Sequence, residues 1–432
     1  MKKILLTIIM AICVCAASAQ TISLYFPHFA GVEYVFYLYQ GIDTDTIQRG
    51  TIGNDGNLTI TIPDRYKTYV GMAQWSMLSG GGLSLAINGK DFSVSCTEAV
   101  PNENNITYSE NPEIDFMLRR YQHQQNLMGK IELIRTAQAM YQTDSQNNFY
   151  QAVEEELKLL KESFRLFQLE TQQSKLYAAH YFRINDFMNF MPLYSLSDTK
   201  EEHLLEMLRF VETELSMEKL FTSGLWKNTI SQIAGLYQDN DGFVPAMITK
   251  LKQTTSLSVY EQLAEAMIII CEQQGWNEQE EQLSYFLVND GRINKPTGKV
   301  KQVMTLYKLA KGNKAPALSQ GKLPKSKTLL VFYETGCGNC EAQMREIKEK
   351  YLQLKEMGYE VVTVSADTDL SLFKYSSEDF PWKAKYCNGE GFSGKDFQTY
   401  GIIGTPTMFV IDKKGVIQGR YARLEDLLEV EN

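Results

Sequence analysis

The spacing of apolar residues along this chain changes rhythm twice. Between Gln20 and about Ala99, alternating or short apolar runs (Val32 to Tyr39, Leu58 to Ile62, Tyr69 to Ala73, Leu83 to Ile87, Phe92 to Cys96) are separated by Gly, Asn and Asp, which predicts strands joined by turns. Asn54-Asp55-Gly56-Asn57 has the composition of a hairpin turn. Ser79-Gly-Gly-Gly82 reads as a flexible loop, because neither lysine nor helix follows to make it a phosphate cradle. Pro101-Asn-Glu-Asn-Asn105 is a polar linker and Ser109-Glu-Asn-Pro112 a helix start. From there the period is helical. Ile114, Met117, Leu118, Tyr121, Met128, Ile131 and Ile134 trace one apolar face, and Leu157, Leu160, Phe164 and Phe167 another. Further helices are predicted over about 199–219, 225–237, 257–275 and 278–289. Phe182, Phe187, Met188, Phe190, Met191 and Tyr194 suit core packing better than a peptide groove. Gly312 to Lys327 is a linker. Beyond it Thr328 to Tyr333 is almost continuously apolar, as a strand buried on both faces requires, and Met344, Ile347, Tyr351 and Leu354 follow at helical spacing.

At 432 residues the chain predicts two or three domains, and 44% hydrophobic residues suffice for their cores. Met1-Lys2-Lys3, the apolar run Ile4 to Ala16 and Ala17-Ser18-Ala19 before Gln20 have the form of a cleaved secretory signal, residues 1–19, too short for a comfortable membrane span. Ile12-Cys13-Val14 lacks the small residues of a lipoprotein site before Cys15. The mature protein is therefore expected to be periplasmic or secreted. Cleavage removes Lys2 and Lys3 and takes the formal charge from −9 to −11, which gives no support to nucleic acid as a partner. Five cysteines remain: Cys96, Cys271, Cys337, Cys340 and Cys387. They are too few and too scattered for a disulfide framework. Cys96 and Cys271 fall on core positions. His28, His123, His180 and His203 are isolated, so no metal site and no cofactor are expected.

The candidate chemistry lies in Cys337-Gly338-Asn339-Cys340, at the junction of the apolar strand with the helix after it. A thiol in the first turn of a helix faces unpaired N–H groups and the positive end of the macrodipole, both of which favour the thiolate. Cys337 is then the nucleophile. Cys340, one turn further on, is placed to attack a mixed disulfide on Cys337 and release the partner. The pair also resembles half a zinc site, but no second pair lies downstream and no histidine follows His203. Gly401-Ile-Ile-Gly-Thr-Pro-Thr-Met-Phe-Val-Ile-Asp412 adds a proline directly before the strand Thr407 to Ile411. A cis Thr405-Pro406 bond in a tight turn reconciles the two.

With both motifs in view, residues 314–432 resemble the thioredoxin fold, and within it the TlpA/ResA-like thiol-disulfide oxidoreductases. The strand, C-x-x-C helix, second strand (Tyr359 to Ser365), Gly-Thr-Pro, strand and Asp412-Lys-Lys-Gly415 turn fall in family order. The resemblance implies that Thr405 and Pro406 face the cysteines and bind an extended substrate segment. Four positions depart from the pattern. Val331 replaces the buried aspartate of thioredoxin, Gln343 stands where relatives often carry glutamate, Gly336 replaces tryptophan, and Cys387 lies where many relatives have aspartate. An amide does not shuttle protons at ordinary pH, and Glu334 and Glu341, flanking the motif, are read as surface carboxylates. Cys387 is read as a buried free thiol rather than a third redox cysteine.

The expected architecture is multidomain: an all-β, sandwich-like domain over 20–99, of a type resembling those that precede thioredoxin-like modules in secreted Bacteroidota proteins, an all-α region over 110–311, and an α/β thioredoxin-like domain over 314–432. The expected function is disulfide exchange with envelope proteins that carry thiols or disulfides, with electrons from a membrane donor if the protein works as a reductant. Two rivals stand beside it. One is a secreted binding or scaffold protein with a structural Cys pair. The other is a thiol peroxidase, whose Pro-x-x-x-Thr-x-x-Cys pattern fails here at Leu330 and Thr335.

Overall fold

The computed structural model describes residues 20–431 except 110, 145, 197, 198, 238 and 239, so the signal-like segment 1–19 lies outside the described residues. The chain divides into two compact units, one reaching to Gln262 and one starting at Leu263. Among the described residues no helix is long and apolar enough to cross a membrane.

Among the described residues the first unit begins with eight strands: β1 (Thr21–Tyr25), β2 (Glu33–Gln40), β3 (Asp43–Thr51), β4 (Asn57–Thr61), β5 (Gly71–Met77), β6 (Gly82–Ile87), β7 (Phe92–Ser95) and β8 (Thr107–Tyr108). They form two sheets, β4-β1-β7-β8 and β3-β2-β5-β6. The inward residues of both, among them Ile22, Leu24, Phe36, Leu38, Ile60, Trp75, Leu85 and Val94, make one apolar cluster. Strand β3 was not legible in the pattern. Its sequence is polar and mostly exposed, and it exists because it pairs with β2 from Thr51 back to Asp43 across a two-residue turn whose Gly41 has φ +68°. The Asn54–Asn57 turn forms, with Asp55 Oδ1 accepting the Asn57 N–H at 3.0 Å. It joins β3 and β4, which belong to different sheets, so it is a crossing rather than a hairpin.

Seven helices then follow in this unit: α1 (Pro112–Tyr141), α2 (Asn148–Gln173), α3 (Tyr177–Met188), α4 (Lys200–Thr213), α5 (Met217–Phe221), α6 (Trp226–Leu236) and α7 (Phe243–Gln253). Asn111 caps α1 by accepting the Glu113 N–H at 3.0 Å, with Pro112 in the first turn, as the predicted start requires. Within this unit α1 and α2 share Leu127, Ile131, Ile134, Leu157, Leu160 and Phe164 as a core. Of the aromatic and methionine cluster, Phe187 is fully buried whereas Phe190 is 60% exposed. Buried charges accompany this packing: Arg120 pairs with Asp186, and Arg183 with Glu214 at 2.7 Å.

The division between the units falls inside α8 (Leu257–Gln274). The second unit continues with α9 (Asn277–Asp290) and α10 (Gly298–Lys308), then β9 (Lys327–Tyr333), α11 (Gly338–Glu349), α12 (Tyr351–Glu356), β10 (Tyr359–Ser365), α13 (Leu370–Ser376), β11 (Ala384–Tyr386), α14 (Lys395–Thr399), β12 (Thr407–Ile411), β13 (Ile417–Tyr421) and α15 (Leu424–Glu431). The sheet order is β11-β10-β9-β12-β13, with β9, β10 and β11 parallel and β12 and β13 antiparallel to their neighbours. β9 is apolar from Leu329 to Tyr333 because both its faces are covered. Leu329, Val331 and Tyr333 join a cluster with Cys340, Met344 and Leu427, while Leu330 and Phe332 join one with Phe397, Tyr400 and Phe409. The predicted linker is partly structured: Gly312 N donates to Ile417 O at 2.8 Å and Ala315 N to Gly415 O at 2.8 Å.

Candidate functional site

The site forms at the edge of the sheet where β9 and β10 end, and where the segment leading into β12 passes the start of α11. Cys337 is the N-cap residue of α11. Its carbonyl accepts the Glu341 N–H at 2.9 Å, and its side chain is half-buried. Gly336, with φ +82°, turns the chain into that position, and a Cβ there would meet open space, so conformation rather than room calls for glycine. Cys340 is one turn on and 0% exposed.

The two thiols titrate in opposite directions. Cys337 is held below the ordinary thiol value, first by the Cys340 thiol hydrogen-bonding to it and then by the Cys340 and Asn339 N–H groups. Those N–H groups act from longer range than a capping bond, since the side chain makes none. Cys340 is pushed up to about 11, first by burial and then by its bond to Cys337, with the Thr405 side chain pulling back.

The Thr405 carbonyl lies 3.9 Å from Cys337 Sγ, and the Thr405-Pro406 bond is cis. Cys337 and Cys340 are therefore brought together with Thr405, which lies 68 residues beyond Cys337 in sequence, with Pro406 next in the chain.

Sequence reasoning missed Asp367. It is 5% exposed and lies just beyond β10; its carboxylate accepts the Thr335 N–H at 2.9 Å and the Thr335 hydroxyl at 2.7 Å. Ser376 Oγ lies 3.0 Å from the same hydroxyl. This clamp fixes the loop two residues before Cys337. An acidic residue two positions after a buried strand, on the sheet edge that carries the cysteines, was the available signal. Cys387 belongs to the same corner. Its thiol donates to the Asp367 carbonyl at 3.1 Å, and burial first, then the Asp367 charge, raise its pKa.

Gln343 serves the packing of the domain, since its Oε1 accepts the Leu424 N–H at 2.7 Å and so caps α15. Glu334 opposes thiolate formation at Cys337 by its charge. Glu341 is exposed. Cys271 and Cys96 are 1% and 2% exposed, in the core as expected. Among the described residues no group of His, Cys, Asp and Glu is arranged to hold a metal ion.

Residues 302–420 match the AhpC/TSA family. The chain is 32% identical to nucleoredoxin from Mus musculus over 117 residues, 27% of each chain. It is 34% identical to the thiol-disulfide oxidoreductase ResA from Bacillus cereus over 89 residues, 20% of this chain and 50% of that one. The chain thus spans half or less of the length of these relatives. Among solved structures, a putative thiol:disulfide interchange protein DsbE from Chlorobium tepidum is 24% identical and covers 28% of this chain and 94% of its own, with a TM-score of 0.25. The C-terminal region thus carries an AhpC/TSA-type thioredoxin-fold domain and is similar there to ResA.

Proposed function

We propose that this chain, through the AhpC/TSA-type thioredoxin-like domain in its C-terminal region, exchanges disulfides with protein partners by way of Cys337 and Cys340. The observation that carries this reading is the asymmetry of the pair: a half-exposed, acidified thiol at a helix start beside a buried, hard-to-ionise one. The Cys337 thiolate attacks one sulfur of a partner disulfide. A Cys337–partner disulfide forms, and the partner's other sulfur leaves as thiolate with the electron pair and takes a proton. Cys340 gives up its proton, which the departing partner sulfur takes up directly or through solvent, and attacks Cys337 Sγ, and the second partner sulfur departs with the electron pair of the broken S–S bond. Two electrons have passed to the partner, and Cys337–Cys340 is oxidised. In the mixed disulfide Cys337 carries no charge, so one of the causes that hold the proton on Cys340 is gone and burial is the main one left. The Thr405 backbone and Pro406 line the approach of an extended partner segment.

The signal-like residues 1–19 support placing this chemistry in the cell envelope, periplasmic or secreted, with envelope proteins as partners and, for a reductant, a membrane electron donor. The two sheets over one apolar cluster support a sandwich-like reading of residues 20–99. A peroxidase is less favoured, because the Thr335 hydroxyl is engaged by Asp367 and is not offered to a peroxide. The test is a Cys340→Ala variant incubated with envelope extracts. It should accumulate partners as disulfides on Cys337 that dithiothreitol releases, and the Cys337→Ser variant should accumulate none. Equal yields from both variants would reject the mechanism.

A further inference from the structure

A groove of about 300 Å³ lies in the second unit between α10 and the segment running from α14 to the Thr405-Pro406 bond. Gly401 makes it possible. Its φ is +56°, and a Cβ there would stand 2.9 Å from Thr305 Cγ2, so only glycine lets α10 approach this closely. Leu306 and Ile403 line the groove and are 39% and 83% exposed, an apolar surface left open to solvent. Among the described residues the charged groups lining it are Lys301 and Arg420, with no carboxylate, in a chain that carries 52 acidic residues against 43 basic ones. Lys301 Nζ donates to the neutral Gln398 Oε1 at 2.8 Å, and the Arg420 guanidinium lies 5.6 Å from the Phe409 ring centre. Both cations therefore lack an anionic counterpart in the groove. Ile403 is two residues from Thr405, whose carbonyl lies 3.9 Å from Cys337 Sγ. An extended segment advances about 3.3 Å per residue, so chain held at the sulfur reaches this groove within a few residues.

We propose that the groove receives the partner-protein segment flanking the reacting cysteine, and that Arg420 and Lys301 select an acidic side chain about three to six residues from it, with apolar neighbours on Leu306 and Ile403. This rests on the disulfide-exchange reading above. The partner class is thus an acidic, partly apolar extended segment around a disulfide.

The probe is a set of cysteine peptides activated as thiopyridyl disulfides, with Glu or Gln at each of those positions and Leu beside it. Reduced full-length protein is mixed with each peptide, and release of the pyridine thione is followed. Neutral 4,4′-dithiodipyridine, which has no peptide, serves as control. The Glu peptide should react about threefold to tenfold faster than its Gln twin at low salt, with the advantage shrinking at high salt. Arg420→Glu, and separately Lys301→Glu, should remove or invert that preference and leave the dithiodipyridine rate within about twofold, which also shows that each variant is folded. Equal Glu and Gln rates in the wild type, with normal dithiodipyridine reactivity, would overturn the groove inference and leave the exchange reading standing. A preference that survives both substitutions would also overturn it. Failure of the wild type to react with dithiodipyridine would remove both readings together.

Discussion

Two regions of this chain bury groups that titrate, and they put burial to opposite uses. In the helices of the first unit, His180 accepts the Ser216 N–H at 3.3 Å and is pushed down to about 3, first by burial and then by Lys219, Arg183 and Lys250. On the same helix, Asp186 pairs with Arg120 of α1, and both side chains are 1% exposed. Burial raises the Asp186 carboxyl and the Arg120 charge draws it back. In the second unit, Cys340 is as deeply buried, but the neighbour it acts on, Cys337, is half-exposed. The His180 lone pair is occupied by a backbone donor, whereas a partner sulfur can reach Cys337. A perturbed titration therefore points to chemistry only where a reacting group has access, and elsewhere it reports packing.

The sharpest way to break this contrast is to remove one member of each region. Cys337→Ser should reduce disulfide exchange to the buffer background, with stability changed by less than about 1 kcal/mol, as for other substitutions of incompletely buried side chains. Arg120→Ala should do the reverse. Stranding the buried Asp186 carboxylate should cost about 3–5 kcal/mol in urea unfolding, with exchange per folded molecule unchanged. If Arg120→Ala slowed exchange in fully folded protein, the helical region would have a part in the reaction that its geometry does not suggest.

Acid stability gives a finer test. Folding lowers the His180 pKa, so below about pH 6.5 the unfolded chain binds a proton that the folded one refuses, and stability falls as the pH drops toward about 3. Between pH 7 and pH 5 this single group should cost the wild type about 2 kcal/mol, a loss absent from His180→Gln. Parallel urea curves for the two proteins at both pH values would refute the assignment. A last test concerns Asp367. Asp367→Ala leaves the Thr335 N–H without its acceptor, which should cost about 1–3 kcal/mol and slow iodoacetamide labelling of Cys337 a few-fold as the loop loosens. Unchanged labelling would show that the loop is held without the clamp.

Much of the second unit could be read directly from residue order. The strands expected over Tyr359 to Ser365 and Thr407 to Ile411 have those bounds in the structure, because a strand covered on both faces is mostly apolar, here at Val361, Val362, Val364 and Met408 to Ile411, and that pattern is legible in the residue order. Cys337 sits at a helix start for a similarly local reason. Strand β3, helices α7 and α10, and the roles of Asp367 and Gln343 were not legible. β3 owes its form to a neighbouring strand, and α10 is short, with Val300, Val303 and Met304 as its buried positions. The Asp367 carboxylate and the Gln343 amide answer backbone N–H groups at Thr335 and Leu424, 32 and 81 residues away in the chain. Side-chain type and local spacing determined where a reactive thiol would stand. Which polar groups hold it there depended on segments that meet only when the sheet closes, because a hydrogen bond is satisfied by proximity in space and sequence order carries no record of it.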